Sequence, residues 1–243
     1  MIRENIIVLK EKISKAAERS GRKLDEIKII AVSKNVNLND ILTAKKNGIN
    51  DFGENKAQEI KEKFEEINKL SIREEYLDAS WHFIGHLQTN KVKYVANLVD
   101  YVHSVDSIKL CEELNKRAME NKRKIKILLE YKTSDEVSKY GIESEDELLK
   151  ICEKTGYCDY LELIGLMTMA PFTDDEKTIR KSFKELYRLK NLLVERGYNI
   201  QELSMGMTSD YEIAIEEGST MVRIGTAIFG PRNYTKSWRE QWN

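Results

Sequence analysis

A chain of 243 residues with 40 basic and 41 acidic side chains carries a formal charge of −1, which excludes the strongly basic surface of a nucleic-acid binder and the acidic tail of a charge-driven interaction protein. The 41 % hydrophobic content and 12 glycines suffice for a sizeable core and exclude disorder, while the interleaved Lys and Glu read as solvated helix faces. No apolar run approaches the roughly 18 residues of a membrane span, and Cys111, Cys152 and Cys158 form no C-x-x-C pair, so a reducing, cytoplasmic setting is expected.

The chain opens with apolar residues at Ile2, Ile6, Leu9, Ile13 and Ala16, a helical stripe that stops at Gly21. Eight short β-branched runs follow, at 27–34, 51–55, 81–85, 99–105, 124–132, 161–169, 202–207 and 221–229, and are read as strands. Segments of helical period separate them, such as Ala57, Ile60, Phe64 and Ile67, with start signals at Thr173 to Glu176, Ser144 to Glu147 and Ser209 to Glu212. Strands alternating with helices imply right-handed crossovers and a parallel sheet, and eight units imply closure. The expected fold is a single (β/α)8 TIM-type barrel with an extra N-terminal helix, occupying residues 1–243 as one domain. An open doubly wound sheet would carry a Gly-rich turn after its first strand, where this chain has Val32-Ser33-Lys34-Asn35.

In such barrels the chemistry sits at the C-terminal rim of the strands. Ile30, Val32 and Lys34 share one face by the period of two, so an inward Ile30 carries Lys34 to the barrel mouth. Such an amine either snorkels to solvent or serves as a Schiff-base nucleophile. At the other end of the chain, Ser204-Met205-Gly206 and Arg223-Ile224-Gly225-Thr226 close the seventh and eighth runs, where barrels often cradle a phosphate on backbone amides and a helix N-terminus. Taken singly, Gly206 and Gly225 could be turn glycines. A lysine amine facing a phosphate cradle describes pyridoxal 5′-phosphate, held as a covalent aldimine to Lys34. Arg223 shares parity with Met221 and Gly225 and then meets the pyridine nitrogen; the alternative is an interior arginine paired with a carboxylate such as Glu54.

The ordered set Ala31-Val32-Ser33-Lys34, Phe52-Gly53-Glu54-Asn55, Trp81 through Lys91, Gly165-Leu166-Met167-Thr168, Ser204-Met205-Gly206-Met207 and Arg223 through Gly230 resembles the pyridoxal phosphate homeostasis protein family over nearly the whole chain. The resemblance implies an alanine-racemase-like barrel, a cytoplasmic location and a role in vitamin B6 homeostasis as a carrier or regulator without strong catalysis. By the same match Lys34 is the Schiff-base lysine, Asn55 a neighbour of the ring, Ser204, Met205, Gly206, Gly225 and Thr226 the phosphate cradle, and Arg223 the partner of the pyridine nitrogen. Two positions depart from the family pattern: Lys132 stands where asparagine is usual and brings a second amine toward the mouth, and Asn35 stands where threonine is common.

His82 and His86 are four apart, but their flanks read as strand and turn, so no metal is expected; His86 is read as a rim residue and His103 as core. Three functions compete: a pyridoxal phosphate carrier, a racemase-like enzyme using that cofactor, and a barrel enzyme acting on a phosphorylated metabolite. The carrier is favoured, because racemases of this barrel type add a β-rich domain for which no residues are left over. The expected partners are the cofactor and, transiently, apo-enzymes that require it, with no nucleic acid, no membrane and a monomeric state.

Overall fold

The computed structural model describes residues 1–134, 140–231 and 238–239. Strands β1 (Lys28–Val32), β2 (Asp51–Glu54), β3 (Ser80–Phe83), β4 (Tyr101–Val105), β5 (Ile125–Glu130), β6 (Leu161–Met167), β7 (Glu202–Ser204) and β8 (Met221–Ile224) pair in sequence order into a closed parallel barrel. Closure is made by β1 against β8, with Ile30 opposite Arg223. Around it run helices α1 (Ile2–Arg19), α2 (Leu38–Lys46), α3 (Ala57–Ile67), α4 (Arg73–Leu77), α5 (Ile108–Glu120), α6 (Glu145–Thr155), α7 (Glu176–Glu195), α8 (Tyr211–Glu216) and α9 (Thr226–Phe229). All eight expected strands are present. The crossover between β3 and β4 departs from the rest, being a 3-10 turn over Thr89–Tyr94.

The outward faces of the strands are apolar because helices cover them, while the lumen holds apolar and polar side chains together. The outward face, with Ala31, Phe52, Trp81, Val102 and Ile127, packs on the helices, whereas Ile30, Tyr101, Leu128, Met167 and Met221 fill the lumen. Gly53 leaves room there: a Cβ on it would lie 2.8 Å from Ile84 Cδ1. Buried Ile6, Leu9, Ile13 and Ala16 form the inner stripe of α1. Gly21 follows its last turn at φ +70°, a conformation that costs glycine little. Helix α1 meets the end of the chain, Arg19 pairing with Glu212 and Glu216, and Asn5 Nδ2 donating to the Ile228 carbonyl at 2.9 Å.

Strand ends and caps refine the sequence expectations. The first strand stops at Val32, so Lys34 lies in the turn after it rather than in the strand, and the eighth stops at Ile224, with residues 226–229 helical. Ser144 caps α6 as expected, its Oγ accepting from the Glu147 amide. Helix α7 is instead capped by Asp175, whose carboxylate accepts from the amides of Lys177 and Thr178. Asp210, not Ser209, is the N-cap residue of α8.

Candidate functional site

The turn that carries Lys34 is fixed from both sides by a buried ionic cluster. Lys63 of α3 is fully buried and spends its three N–H donors on the Ser33 carbonyl (2.7 Å), Glu54 Oε1 (2.7 Å) and Glu59 Oε1 (2.8 Å). Ser33 Oγ donates to Glu54 Oε1 at 2.7 Å, and the Asn35 amide donates to Glu59 at 2.5 Å. Asn35 stands at φ +55°, the left-handed region in which asparagine is among the few tolerated non-glycine residues. Between these two tethered residues Lys34 is half-buried, and its amine has no hydrogen bond or ion pair among the described residues.

Strand β8 supplies the second feature. Arg223 is 4 % exposed; its Nη1 donates to the Ser204 carbonyl (2.8 Å) and to Ser204 Oγ (2.7 Å), and its Nη2 to the Thr168 carbonyl (2.9 Å). Three of the five guanidinium donors are thereby used, and the other two have no acceptor among the described residues. Burial pulls its pKa down to about 10, opposed by the charges of Asp210 and Glu130. Arg223 is therefore not paired with Glu54, which is held by Lys63 and Ser33.

The turns after β7 and β8 interlock. The Arg223 amide donates to the Gly206 carbonyl (2.9 Å), and the Met207 amide to Asp210 Oδ1 (2.6 Å). Gly206 sits at φ +97°, where a Cβ would come within 2.6 Å of Ala214 Cβ, so only glycine lets the turn lie on α8. The amides of Gly206, Gly225 and Thr226 find no acceptor among the described residues. Ser204 and Met205 contribute differently: Ser204 Oγ is engaged by Arg223 and His103, and Met205 is buried in the outer core. Their backbones are engaged too: the Ser204 carbonyl accepts from Arg223 and from the Thr168 amide, and the Met205 amide donates to the Met221 carbonyl. Asn55, just past β2, has a buried Oδ1 without a partner among the described residues, and its backbone leaves no room for a side chain at position 85, where a Cβ would meet its carbonyl oxygen at 2.3 Å.

Of the residues singled out from the sequence, the described contacts join Ser204, Gly206 and Arg223 directly, and the pairing of β1 with β2 and β8 brings the turns of Lys34, Asn55 and Gly225 to one rim. Lys132 turns aside, bonding Glu143 at 2.9 Å. His86 is at the rim, stacked on Tyr140 with ring centroids 3.6 Å apart, and no group of three metal-ligating side chains occurs among the described residues. Three positions escaped sequence reasoning: Lys63, Glu130 and Gly85. Glu130 has parity with the lumen residue Leu128, and burial, with Asp106 adding to it and Arg223 opposing it, pushes its carboxyl up to about 7. An acid closing the apolar run Ile127-Leu128-Leu129 was its legible signal; Lys63, on a helix rich in Lys and Glu, had none.

These features define a barrel of the alanine racemase N-terminal domain family, whose pattern matches residues 5–233. Within that class the chain belongs to the pyridoxal phosphate homeostasis protein family. It is 40 % identical over 226 residues to the member from Aquifex aeolicus, covering 92 % of this chain and 95 % of that one, and 37 % identical to the member from Escherichia coli, covering 97 % and 98 %. Among solved structures it is similar to PipY of Synechococcus elongatus with pyridoxal phosphate bound, at 30 % identity and a TM-score of 0.80, covering 95 % of this chain and 100 % of that one. An alanine racemase from Clostridium difficile shares the fold alone, with 16 % identity and a TM-score of 0.72; the match covers 99 % of this chain and 62 % of the racemase.

Proposed function

We propose that this chain binds pyridoxal 5′-phosphate, with Lys34 as its covalent anchor, and acts in cellular vitamin B6 homeostasis as a carrier or regulator rather than as an enzyme. The observation that carries this reading is the set of unpaired groups on one rim: the amine of Lys34, two guanidinium donors of Arg223, the amides of Gly206, Gly225 and Thr226, and the Asn55 oxygen. Such groups are costly to bury unless a ligand meets them. Pyridoxal phosphate supplies an aldehyde, a pyridine nitrogen and a phosphate dianion. The amides at Gly206, Gly225 and Thr226 are suited to the dianion, with Ser204 and Met205 shaping the turn that presents them. Asn55 lies beside the ring in this arrangement. The name and bound cofactor of the relatives support the same assignment.

Arg223 bears on catalysis as well as binding. A guanidinium can only donate, so it holds the ring nitrogen as an unprotonated acceptor and leaves the ring a weak electron sink for amino-acid chemistry. Borohydride reduction of the protein incubated with pyridoxal 5′-phosphate, followed by peptide mass mapping, tests the anchor. The pyridoxyl group is expected on Lys34 and absent from Lys34→Ala; labelling at Lys132 or spread over many lysines overturns the assignment.

A further inference from the structure

The lumen contains an unbroken hydrogen-bonded chain that begins at Arg223 and ends at the opposite end of the barrel. Arg223 Nη1 lies 2.7 Å from Ser204 Oγ; Ser204 Oγ is 2.9 Å from His103 Nδ1; His103 Nε2 is 2.8 Å from His82 Nδ1; and His82 Nε2 is 3.0 Å from Asp51 Oδ1. His103, Ser204 and His82 have no exposed surface. Tyr101 stacks on the His82 ring at 4.1 Å with an interplanar angle of 7°, fixing the plane in which that imidazole can bond. Lys28 stands 3.6 Å from Asp51 at the far terminus.

The chemistry of the two ends sets the direction of every link. Burial pushes the Asp51 carboxyl up, but the hydrogen bond from His82 and the charge of Lys28 together bring it below its usual range, so it is an ionised acceptor. Burial lowers the pKa of both histidines, His103 furthest, so each ring is neutral and carries one N–H. His82 must then donate from Nε2 to Asp51 and accept at Nδ1, His103 must donate from Nε2 and accept at Nδ1, and Ser204 must donate its only proton to His103. Its Oγ is left to accept from Arg223, which has no other role available. Four donors therefore point the same way, from a cation at the mouth to an anion at the floor, an arrangement in which successive hydrogen bonds polarise one another.

We propose that Asp51, His82 and His103 are positioning residues for Arg223, holding its guanidinium toward the cofactor through a one-way relay across the barrel. The proposal rests on the reading of Arg223 as a partner of pyridoxal phosphate, and it extends the functional site to a carboxylate that touches no ligand. Neutralising Asp51 removes the charge that orders the relay while leaving the mouth's own atoms in place.

Two measurements test it. Long-range proton–nitrogen correlation on histidine-labelled protein at pH 7 should show His82 and His103 both neutral and protonated at Nε2, with and without added pyridoxal 5′-phosphate; a charged ring or an Nδ1–H form at either position overturns the relay. On protein loaded with pyridoxal 5′-phosphate, Asp51→Asn should shift the absorption of the bound cofactor. It should also speed its transfer to an apo-enzyme on the order of tenfold, as loss of an outer hydrogen-bond partner does for a metal ligand, with Arg223→Gln giving a larger effect of the same sign. If Arg223→Gln has its effect and Asp51→Asn has none, the relay is rejected and the site reading stands. If Arg223→Gln itself leaves absorption and transfer unchanged, the site reading fails whatever the tautomers. Should Asp51→Asn not fold, the tautomers of the unmodified protein still decide the matter.

Discussion

The two ends of the barrel solve the burial of polar groups in opposite ways. At the N-terminal end Lys28 has Asp51 and the Tyr101 hydroxyl within 3.6 and 3.4 Å, Lys126 lies over the Tyr101 ring at 5.3 Å, and Glu202 accepts from Thr220, so each charge has a protein partner. At the C-terminal end partners run out: every buried side-chain atom left unpaired among the described residues, namely Glu54 Oε2, Asn55 Oδ1 and Ser104 Oγ, lies at or near the end of β2 or β4. A hollow of about 730 Å³ nevertheless opens at the N-terminal end, lined by Lys28, Asp51 and Glu202 among others. Space therefore does not single out the rim proposed to bind the cofactor; unmet bonding capacity does.

The sharpest challenge to that contrast is a buried cation at the mouth whose donors are all used, Lys63. Replacing Lys63 by Ala strands Glu54 and Glu59 in the interior and should cost about 3–5 kcal/mol of unfolding free energy, read by denaturant titration. A loss below about 1 kcal/mol would show that the cluster is solvated rather than buried. The same variant should bind the cofactor weakly even where folded, because the Ser33 carbonyl loses its donor and Glu59, which holds the Asn35 amide, loses the cation that fixes it.

Glu130 offers a test whose sign depends on pH. Its carboxyl is raised from 4.5 to about 7, so the folded chain binds the extra proton. Its contribution is fully present below the unfolded value and is lost as pH rises through 7. Without cofactor, the share of Glu130 should fall from about pH 5 and be spent by about pH 8, and Glu130→Gln should remove that fall, gaining up to about 3 kcal/mol at pH 8. His82 and His103 act in the reverse sense: their lowered values give stability that is present above 6.5 and is lost as pH drops toward the folded values. Burial raises the Glu54 carboxyl as well, so the share of Glu130 is read as the difference between the unmodified and Glu130→Gln profiles, and identical profiles would remove the raised acid from the mouth.

A dianion meeting the free amides of Gly206, Gly225 and Thr226 should dominate affinity, so pyridoxal is expected to bind about 100-fold more weakly than its phosphate, close to 2.7 kcal/mol. Equal affinities would leave those amides without a purpose. The smallest effect belongs to the paired end: Lys28→Met should change stability by about 1 kcal/mol or less, as part-exposed ion pairs do, and a larger loss would mean that this end is as demanding as the other.

Barrel closure, the eight strands and the leading helix were legible because apolar period and turn residues are local properties. Lys34, Gly206 and Arg223 were legible because strand parity and turn chemistry put them at the ends of strands. What escaped depends on contacts between distant segments. Lys63 looks like any surface lysine until α3 lies against the β1 turn, and His103 looked like filler until Ser204 and His82 bracketed it across the lumen. Ser204 itself was read as part of the phosphate cradle, whereas its hydroxyl is spent on holding Arg223. The end of the first strand was placed two residues too far because Ser33 and Lys34 continue its parity while the backbone has already turned.

The pairing of β1 with β8, and the contacts of α1 with the last two helices, have a consequence for the life of the chain. Lys34 is made well before Arg223, Gly225 and Thr226, and they become neighbours only when β8 docks on β1. A nascent or truncated chain has the proposed anchor without the proposed cradle, and long-range closure is the slow kind of folding step. On the proposed site, cofactor retention is thus expected of the finished barrel alone, and a ligand that binds only that state draws the late-folding ensemble toward closure.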